Sequence, residues 1–355
     1  MTIFVVGGGT GGHLFPAIAL GKELARLGSE VALITDTRCK GYIGPQLGLE
    51  THILSLGSMK YSFFAKALMA IKLVFASLQS IILLRRRKAS IVVGFGGYTA
   101  FPPLIAAKLL GIPIMLHEQN CFFGKVNKLF AKSAKVIALN FAETSNVSED
   151  LRDKIIIVGN PVRPEIKLAY KKRTFLKDGI KILVIGGSQG AKVFADIVPR
   201  AIAILKSIKP ELKISITQQA SSIDHEKLRA AYSTALEIPC ELEEFFHDMP
   251  RKYSESDLVI CRSGASTIAE LIHLGQPAIL IPYPFAAEDH QFFNANVLAS
   301  KSAAWCFRQK DLTPEILSDK IIEIANTPET LEKMSERLLS LRMESEKILA
   351  DTVLK

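Results

Sequence analysis

The sequence predicts an α/β protein of two Rossmann-like domains that face each other across a cleft. Its 355 residues are too many for one ordinary core and suit two domains of average size. Short apolar runs alternate with helix-like stretches, which is the pattern of parallel βαβ units. A strand followed by a glycine-rich turn opens the chain at residues 3–12 and recurs at residues 182–190. Because ligand sites lie at the carboxyl ends of parallel strands, both glycine loops are expected to face the cleft.

The composition narrows the class of protein and of partner. Hydrophobic residues make up 48% of the chain and charged residues 22%, which indicates a folded globular protein. The net charge of +9 favours an acidic partner, which is nucleic acid, a phosphorylated metabolite or an anionic membrane surface. The five cysteines have neither paired spacing nor a histidine partner, so we expect no disulfide framework and no metal site. The chain starts directly with a strand and not with a signal peptide, which favours the cytoplasm.

The first strand and its loop, VVGGGTGGHLFP at residues 5–16, predict a phosphate site. Gly7, Gly9 and Gly12 have G-x-G-x-x-G spacing, and glycines let the backbone amides at a helix start approach a phosphate. The same spacing fits a dinucleotide site, with Asp36 at the end of the second strand as the ribose acid. A purely structural turn is the third interpretation.

His13 directly follows this loop, at the predicted start of a helix. The positive end of the helix dipole favours a neutral imidazole, which can act as a base. A dinucleotide fold would usually place a small apolar residue at this position, so His13 argues against that alternative. A role for His13 in capping or packing stays open.

The apolar stretch from Phe63 to Leu84 predicts a long helix. It is long enough to span a membrane, but Lys66, Lys72 and Gln79 within it make a span unfavourable. The helix ends in a basic cluster, and this combination predicts binding to an anionic membrane surface. The residues predicted to bind it are Phe63, Phe64, Phe75, Arg85, Arg86, Arg87 and Lys88. The alternative is a buried crossover helix with a solvated basic end.

Two further strands of the first half end in glycine-rich or polar motifs. GFGGY, from Gly94 to Tyr98, indicates a close backbone approach to a ligand with Tyr98 at the rim, or else a structural turn. HEQN, at residues 117–120, follows the strand IPIML and places Glu118 at the same edge of the sheet. Glu118 is a candidate for orienting a base or binding a sugar hydroxyl, and the alternative is a solvated loop acid.

The strand and helix rhythm restarts after residues 160–164 and a charged stretch, which predicts a domain boundary. CRSGAST, at residues 261–267, then opens a helix where Ser263, Gly264 and the following amides would bind a pyrophosphate. Glu270 on this helix would accept both hydroxyls of a ribose. The alternative is that Ser263 caps the helix and Glu270 faces solvent. The segment after the next strand contains Asp289, His290, Gln291 and Asn294, and its acid and amide groups suit a sugar.

Eight of these and neighbouring motifs occur in one order between residues 7 and 295, namely GGGTGGH, GFGGY, HEQN, GNPVR, GGSQGA, EFFHDM, CRSGAST and DHQFFNA. Through these eight motifs the chain resembles the MurG family of bacterial N-acetylglucosaminyltransferases. The resemblance implies a B-type glycosyltransferase fold. It assigns an acceptor-binding and membrane-associating domain to residues 1–163 and a donor-binding domain to residues 164–355. It also implies that the last helix, about residues 336–355, crosses back to the first domain.

The activity implied by the resemblance is an inverting transfer of N-acetylglucosamine from UDP-N-acetylglucosamine (UDP-GlcNAc) to lipid I. The acceptor is the C4 hydroxyl of the N-acetylmuramoyl sugar, and the products are UDP and lipid II for peptidoglycan synthesis. No metal, other cofactor or nucleic acid is implied. Since lipid I is membrane-bound, the expected location is the cytoplasmic face of the bacterial inner membrane. The partners there would include other cell-wall synthesis proteins that act in cell shape and division.

The resemblance also carries individual residues over to this chain. His13 would be the base, with Glu118 and Tyr98 near the acceptor and Gly9 in the loop that binds the acceptor diphosphate. Phe246 would meet the uracil through its backbone. The implied contacts to UDP-GlcNAc are Thr10, Gly11, Gly12, Asn120, Arg163, Ser188, Phe246, Ala265, Ser266, Thr267, Glu270 and Gln291. Asp36 is left without a role.

Overall fold

The computed structural model describes residues 1–44, 47–56, 63–172, 179–186 and 192–355, except for the side chains of residues 63–68. The chain forms two compact units. The first comprises Met1–Pro164 together with Met343–Lys355, and the second comprises Glu165–Arg342. Each unit is built on its own parallel β-sheet, so the prediction of two Rossmann-like α/β domains is confirmed.

The sheet of the first unit has the strand order β3-β2-β1-β4-β5-β6-β7. β1 and β4 lie side by side, with Val6 opposite Gly94. The strand order reverses between these two strands, and the loops that follow them therefore lie together at one edge of the sheet. The strands are β1 (Thr2–Val6), β2 (Val31–Asp36), β3 (Glu50–Leu54), β4 (Ala89–Gly94), β5 (Ile114–Glu118), β6 (Val136–Leu139) and β7 (Ile155–Ile157).

Helices cover both faces of this sheet, because alternate residues of the central strands point to opposite sides. Val5 is buried in the core around α1 and α13, whereas Phe4 is buried in the core around α2 and α3. The helices are α1 (Gly11–Arg26), α2 (Phe63–Arg86), α3 (Phe101–Leu109), α4 (Lys125–Phe130) and α13 (Ser345–Leu354). Short 3₁₀ helices occur at Thr37–Tyr42, Tyr98–Ala100, Ala131–Ser133 and Glu149–Lys154.

The sheet of the second unit has the strand order β10-β9-β8-β11-β12-β13. Ile185 lies opposite Cys261, so β8 and β11 end side by side at the same edge of the sheet. The strands are β8 (Gly179–Ile185), β9 (Lys213–Gln219), β10 (Cys240–Glu243), β11 (Leu258–Cys261), β12 (Ala278–Leu280) and β13 (Trp305–Cys306). The helices are α5 (Pro164–Leu168) at the unit boundary, α6 (Lys192–Ile208), α7 (Ser222–Arg229), α8 (Met249–Glu255), α9 (Ala265–Leu274), α10 (His290–Ser300), α11 (Pro314–Asn326) and α12 (Glu329–Ser340).

The C-terminal segment differs from the single last helix that was expected over about residues 336–355. Helix α12 ends at Ser340, and α13 begins only at Ser345. α12 packs against α9 within the second unit, whereas α13 packs against α1 within the first. The two helices bury their apolar residues against different partners, so the chain leaves helical geometry between them.

Candidate functional site

The glycine loop between β1 and α1 is the first part of the candidate site. A side chain is excluded at Gly7, because a Cβ atom there would lie 2.3 Å from the carbonyl oxygen of His13. Thr10 is the extended N-cap residue of α1, and its exposed side chain makes no capping hydrogen bond. The Thr10 hydroxyl and the amides of Gly11 and Gly12 are therefore placed where they can meet a phosphate.

Arg38, which the sequence analysis does not single out, lies beside this loop. The carboxylate of Asp36 accepts hydrogen bonds from Arg38 N at 2.8 Å, Nε at 2.9 Å and Nη2 at 2.8 Å. The guanidinium carbon lies 4.5 Å from the ring centroid of Tyr98, and a Cβ atom at Gly9 would lie 2.8 Å from Arg38 Nη2. The cation is thus held against the glycine loop. The signal in the sequence is an arginine two residues after an acid at a strand end.

Asp36 therefore has a structural partner. Burial opposes its charge, but hydrogen bonds from Arg38 and Thr99 hold the pKa of the Asp36 carboxyl below its usual value. Both carboxylate oxygens are engaged by protein donors. A ribose would have to displace these donors, so the geometry does not support the dinucleotide interpretation of the loop.

His13 lies in the first turn of α1 and contacts the segment that follows β5. Its Nδ1 atom is 2.9 Å from Oε1 of Gln119. Nε2 of Gln119 is 2.9 Å from Nδ1 of His117, and Nε2 of His117 is 2.9 Å from the carbonyl oxygen of Gly159. The other edge of the His13 ring faces Gly97, where a Cβ atom would lie 3.2 Å from Nε2. The capping alternative for His13 is wrong, because Thr10 is the N-cap residue and the His13 ring bonds to Gln119.

Glu118 is only 3% exposed, so the alternative of a solvated loop acid is wrong. Its carboxylate accepts hydrogen bonds from N of Asn120 at 3.1 Å, from N of Gly124 at 2.9 Å and from Nδ2 of Asn127 at 2.9 Å. These bonds hold the loop that contains Asn120. The expectation that Glu118 orients the base is corrected, because Gln119 makes the contact to His13.

The motif GNPVR also lies in the first unit. The guanidinium carbon of Arg163 is 4.9 Å from the ring centroid of Phe15 in α1, close in sequence to the glycine loop. Asn160 is 4% exposed, and within the described chain neither its Nδ2 nor its Oδ1 has a hydrogen-bond partner. Buried polar groups are nearly always paired, so Asn160 is a further candidate for contact with a ligand. The only signal for Asn160 in the sequence is its place directly after a glycine.

The N-terminus of α9 is the centre of the candidate site in the second unit. The N-cap residue is Gly264, and no side chain caps the helix. Oγ of Ser263 donates instead to the carbonyl oxygen of Gln291 at 2.8 Å, so the alternative in which Ser263 caps α9 is wrong. Oγ of Ser266, in the first turn between Ala265 and Thr267, is buried without a partner among the described residues. Uncapped amides and an unpaired hydroxyl at a helix N-terminus suit a diphosphate.

Gln291 joins two loops of this site. Its Oε1 accepts hydrogen bonds from N of Tyr283 at 3.0 Å and from N of Ser263 at 3.3 Å. This ties the segment after β12 to the start of α9. The Nε2 amide group of Gln291 supplies hydrogen-bond donors at the same point.

Glu270 is 8% exposed, so the alternative in which it faces solvent is wrong. Its Oε2 accepts a hydrogen bond from the hydroxyl of Tyr253 at 3.1 Å. Burial and the nearby charge of Glu270 raise the pKa of the Cys261 thiol, which keeps this thiol protonated. Phe246 is 4% exposed, with Nζ of Lys252 5.5 Å from its ring centroid. Ser188 lies outside the described residues.

The cysteines and acids of the described chain show no ligand cluster. All five cysteines are free thiols. In the parts of the chain that the structure describes, no group of three or more His, Cys, Asp or Glu side chains is arranged to hold a metal ion.

α2 presents an exposed apolar face, which we call the α2 surface. Its residues recur at helical spacing and are each more than half exposed, namely Ile71, Val74, Phe75, Leu78 and Ile82. Ala76 and Leu84 on the other side are buried, so the alternative of a buried crossover helix is wrong for half of α2. At the C-terminal end of α2, Arg87 pairs with Glu30 and Glu50. The other basic residues at this end are exposed, namely Arg85, Arg86 and Lys88.

The side chains of Phe63 and Phe64 lie outside the described part of α2. Over the described ranges, we find no helix with the length and apolar character needed to cross a membrane.

Both halves of the chain match one family of proteins. Residues 3–139 match the glycosyltransferase family 28 N-terminal domain, and residues 181–351 match the glycosyltransferase family 28 C-terminal domain. A protein of Rickettsia felis is 44% identical over 99% of this chain and 98% of its own length. A protein of Rickettsia rickettsii (strain Sheila Smith) is 42% identical with the same coverage. Both are named UDP-N-acetylglucosamine--N-acetylmuramyl-(pentapeptide) pyrophosphoryl-undecaprenol N-acetylglucosamine transferase.

A solved structure shows the same similarity. The crystal structure of Acinetobacter baumannii MurG superimposes on this chain with a TM-score of 0.79 at 28% identity. The match covers 99% of this chain and 98% of that one. The similarity therefore extends over both units and is not confined to one glycine loop.

Proposed function

Since the chain belongs to the MurG family within glycosyltransferase family 28, we propose that it transfers N-acetylglucosamine from UDP-GlcNAc to lipid I. The observation that carries the proposal is the similarity over nearly the full length to relatives named for this transfer. The second unit binds the donor, and the first binds the acceptor and the membrane. The product is lipid II, for peptidoglycan synthesis.

In the second unit, the donor diphosphate binds at the N-terminus of α9. The uncapped amides from Ala265 to Thr267 and the unpaired hydroxyl of Ser266 support this assignment. They offset the negative charge that builds up on UDP as it leaves. Glu270 accepts the ribose hydroxyls, the backbone at Phe246 meets the uracil, and Nε2 of Gln291 donates to the sugar nucleotide.

In the first unit, the glycine loop and Arg38 bind the diphosphate of the acceptor, beside Gly9 and Tyr98. This assignment is supported by the position of the Arg38 guanidinium against the loop. The residues of this unit that contact UDP-GlcNAc are Thr10, Gly11, Gly12, Asn120 and Arg163.

His13 is the general base of the transfer. Its imidazole takes the proton from the C4 hydroxyl of the acceptor sugar, whose oxygen then attacks C1 of N-acetylglucosamine. The bond between C1 and the diphosphate oxygen breaks, and UDP leaves with the electron pair. Attack from the side opposite the leaving group inverts the anomeric centre.

The proposal is tested by incubating the purified chain with labelled UDP-GlcNAc and a short-chain lipid I analogue. We expect one equivalent of UDP for each disaccharide formed, with or without EDTA. A chain that binds NADH but neither binds UDP-GlcNAc nor transfers its sugar would be a dinucleotide enzyme. A chain that binds UDP-GlcNAc without transfer would be a binding protein.

We also propose that the α2 surface binds the cytoplasmic face of the inner membrane. The apolar face lies next to three exposed cations, as in peripheral helices that bind anionic lipid. Phe75 is 63% exposed and lies within this face, with Arg85, Arg86 and Lys88 at its end. Other proteins of cell-wall synthesis are expected to act on the same membrane surface.

Replacing Arg85 and Arg86 together by alanine is expected to weaken binding to anionic vesicles about thirtyfold, since each cation near the surface contributes about 1 kcal/mol. Vesicle sedimentation at low and high salt measures the effect, and wild-type binding is expected to fall as salt rises. Phe75→Asp should weaken binding further, whereas Leu27→Asp, at an exposed apolar residue outside α2, is the matched control. Equal binding by all four proteins would contradict a membrane role for α2.

A further inference from the structure

A chain of hydrogen bonds connects a backbone carbonyl in the first unit to the imidazole of His13. It runs from the oxygen of Gly159 through His117 and Gln119, and each of the three bonds is 2.9 Å long. His13 and Gln119 are 106 positions apart in the sequence, and they meet only in the folded protein. Their meeting is therefore a property of the fold and not of one motif.

The direction of these bonds follows from the carbonyl end. A carbonyl oxygen only accepts, so Nε2 of His117 carries a proton and donates it to Gly159. His117 has no exposed surface, and burial lowers its pKa to about 4, so its ring is neutral near pH 7. Nδ1 of a neutral His117 must then accept, and its donor is the Nε2 amide group of Gln119.

The amide of Gln119 cannot be reversed without loss. Its second amide proton is directed at the carbonyl oxygen of His117, 3.1 Å away. A flip would place Oε1 against this oxygen and against Nδ1 of His117, so Oε1 and Nδ1 would both lack a donor. Gln119 is 1% exposed, so water cannot compensate, and each unpaired buried polar group costs about 1–3 kcal/mol.

Because Oε1 of Gln119 faces Nδ1 of His13, that nitrogen must donate. A neutral imidazole has a single ring proton, so the lone pair is on Nε2. We infer that Gln119 and His117 are positioning residues that hold His13 as the Nδ1–H tautomer, leaving Nε2 as the proton acceptor of the transfer. This inference rests on the proposed role of His13 as the base. Gly97 contributes by leaving space, since its missing Cβ atom would lie 3.2 Å from Nε2.

Tautomers can be measured without substrate, in full-length protein labelled with ¹⁵N-histidine. Two-bond proton–nitrogen spectra near pH 7 distinguish the two forms, and the His13→Gln and His117→Gln variants assign the signals. We expect Nδ1–H for His13 and Nε2–H for His117. His290 and His225 supply internal references, since Nδ1 of His290 lies 2.7 Å from the oxygen of Ala287 and Nε2 of His225 lies 3.0 Å from that of Ala220.

Two variants of Gln119 separate positioning from simple packing. Gln119→Leu removes the acceptor for His13, and we expect its Nδ1–H signature to disappear and kcat to fall on the order of tenfold to a hundredfold. KM for UDP-GlcNAc should change little. Gln119→Glu keeps an oxygen facing His13, and as the protonated acid it can donate from its other oxygen to Nδ1 of His117, so it should retain the signature and more of the turnover. The reference signals of His225 and His290 should be unchanged in both, and thermal unfolding checks that each variant is folded.

The outcomes distinguish this inference from the function on which it rests. A wild-type protein with the ring proton of His13 on Nε2 would overturn the inference, even if transfer is normal. Equal losses of turnover in Gln119→Leu and Gln119→Glu would also overturn it, because packing alone would then explain both. If the tautomers are as expected but His13→Ala transfers normally, the base assignment fails, and the positioning role fails with it.

Discussion

Replacing His13 by alanine is expected to lower kcat for transfer by roughly 10²–10⁴-fold while leaving the affinity for UDP-GlcNAc nearly unchanged. The imidazole lies on the first turn of α1, and its Nε2 edge is kept open by Gly97. A group that acts only on the acceptor proton changes the chemical step and not donor binding. Initial rates with a lipid I analogue and calorimetric titration with UDP-GlcNAc measure the two quantities separately.

His52→Ala is the matched control for this experiment. His52 is also in the first unit, but its Nε2 pairs with Oε1 of Glu50 at 2.9 Å on β3. Its removal should leave kcat within the error of the assay. Turnover close to that of the unmodified chain in His13→Ala would disqualify His13 as the base, and another group would then have to accept the proton.

Replacing Glu270 by alanine is expected to weaken UDP-GlcNAc binding roughly 10²–10⁴-fold. Hydrogen bonds to a charged group contribute about 1.5–3 kcal/mol each, and a ribose diol makes two of them. The carboxylate is almost fully buried, so it can be held in one orientation on α9. Direct titration with UDP-GlcNAc measures the loss, and UDP alone should show the same loss because the ribose is common to both.

A ligand that lacks one hydroxyl makes the test specific. 2′-Deoxy-UDP should bind the wild-type chain more weakly than UDP, whereas Glu270→Ala should bind the two nearly equally. Tyr253→Phe is the matched control, since it removes only the hydroxyl that donates to Oε2 of Glu270 at 3.1 Å. If Glu270→Ala keeps the preference for UDP, the ribose contact must lie elsewhere.

The features of the fold that depend on a local sequence pattern could be predicted. The central strands of both sheets are continuous apolar runs, and the turn after β1 contains Gly7, where the close approach of the chain excludes a side chain. These signals lie within about ten residues, and they predicted the fold class and the position of His13 beside its loop. The order of the motifs between residues 7 and 295 indicated the family.

Contacts between distant segments could not be predicted in this way. Glu118 and Gln119 are adjacent polar residues, and only the contact of α1 with the segment that follows β5 decides which of them meets His13. Arg38 approaches Gly9 because Asp36 holds its guanidinium, and the spacing of this acid and arginine does not by itself place the guanidinium against the glycine loop. The hydroxyl of Ser263 was expected at the phosphate, but it bonds to Gln291, which is 28 residues further along the chain.

The packing of α13 on α1 has a consequence for synthesis. Leu349 and Ala350 are fully buried in the same core as Leu14, yet they belong to the last segment described, Met343–Lys355. During translation this segment leaves the ribosome only after the whole second unit, so one face of α1 has no cover until then. Most of the first unit therefore leaves the ribosome early but completes its folding late. Until then the uncovered apolar face of α1 is accessible to chaperones and proteases.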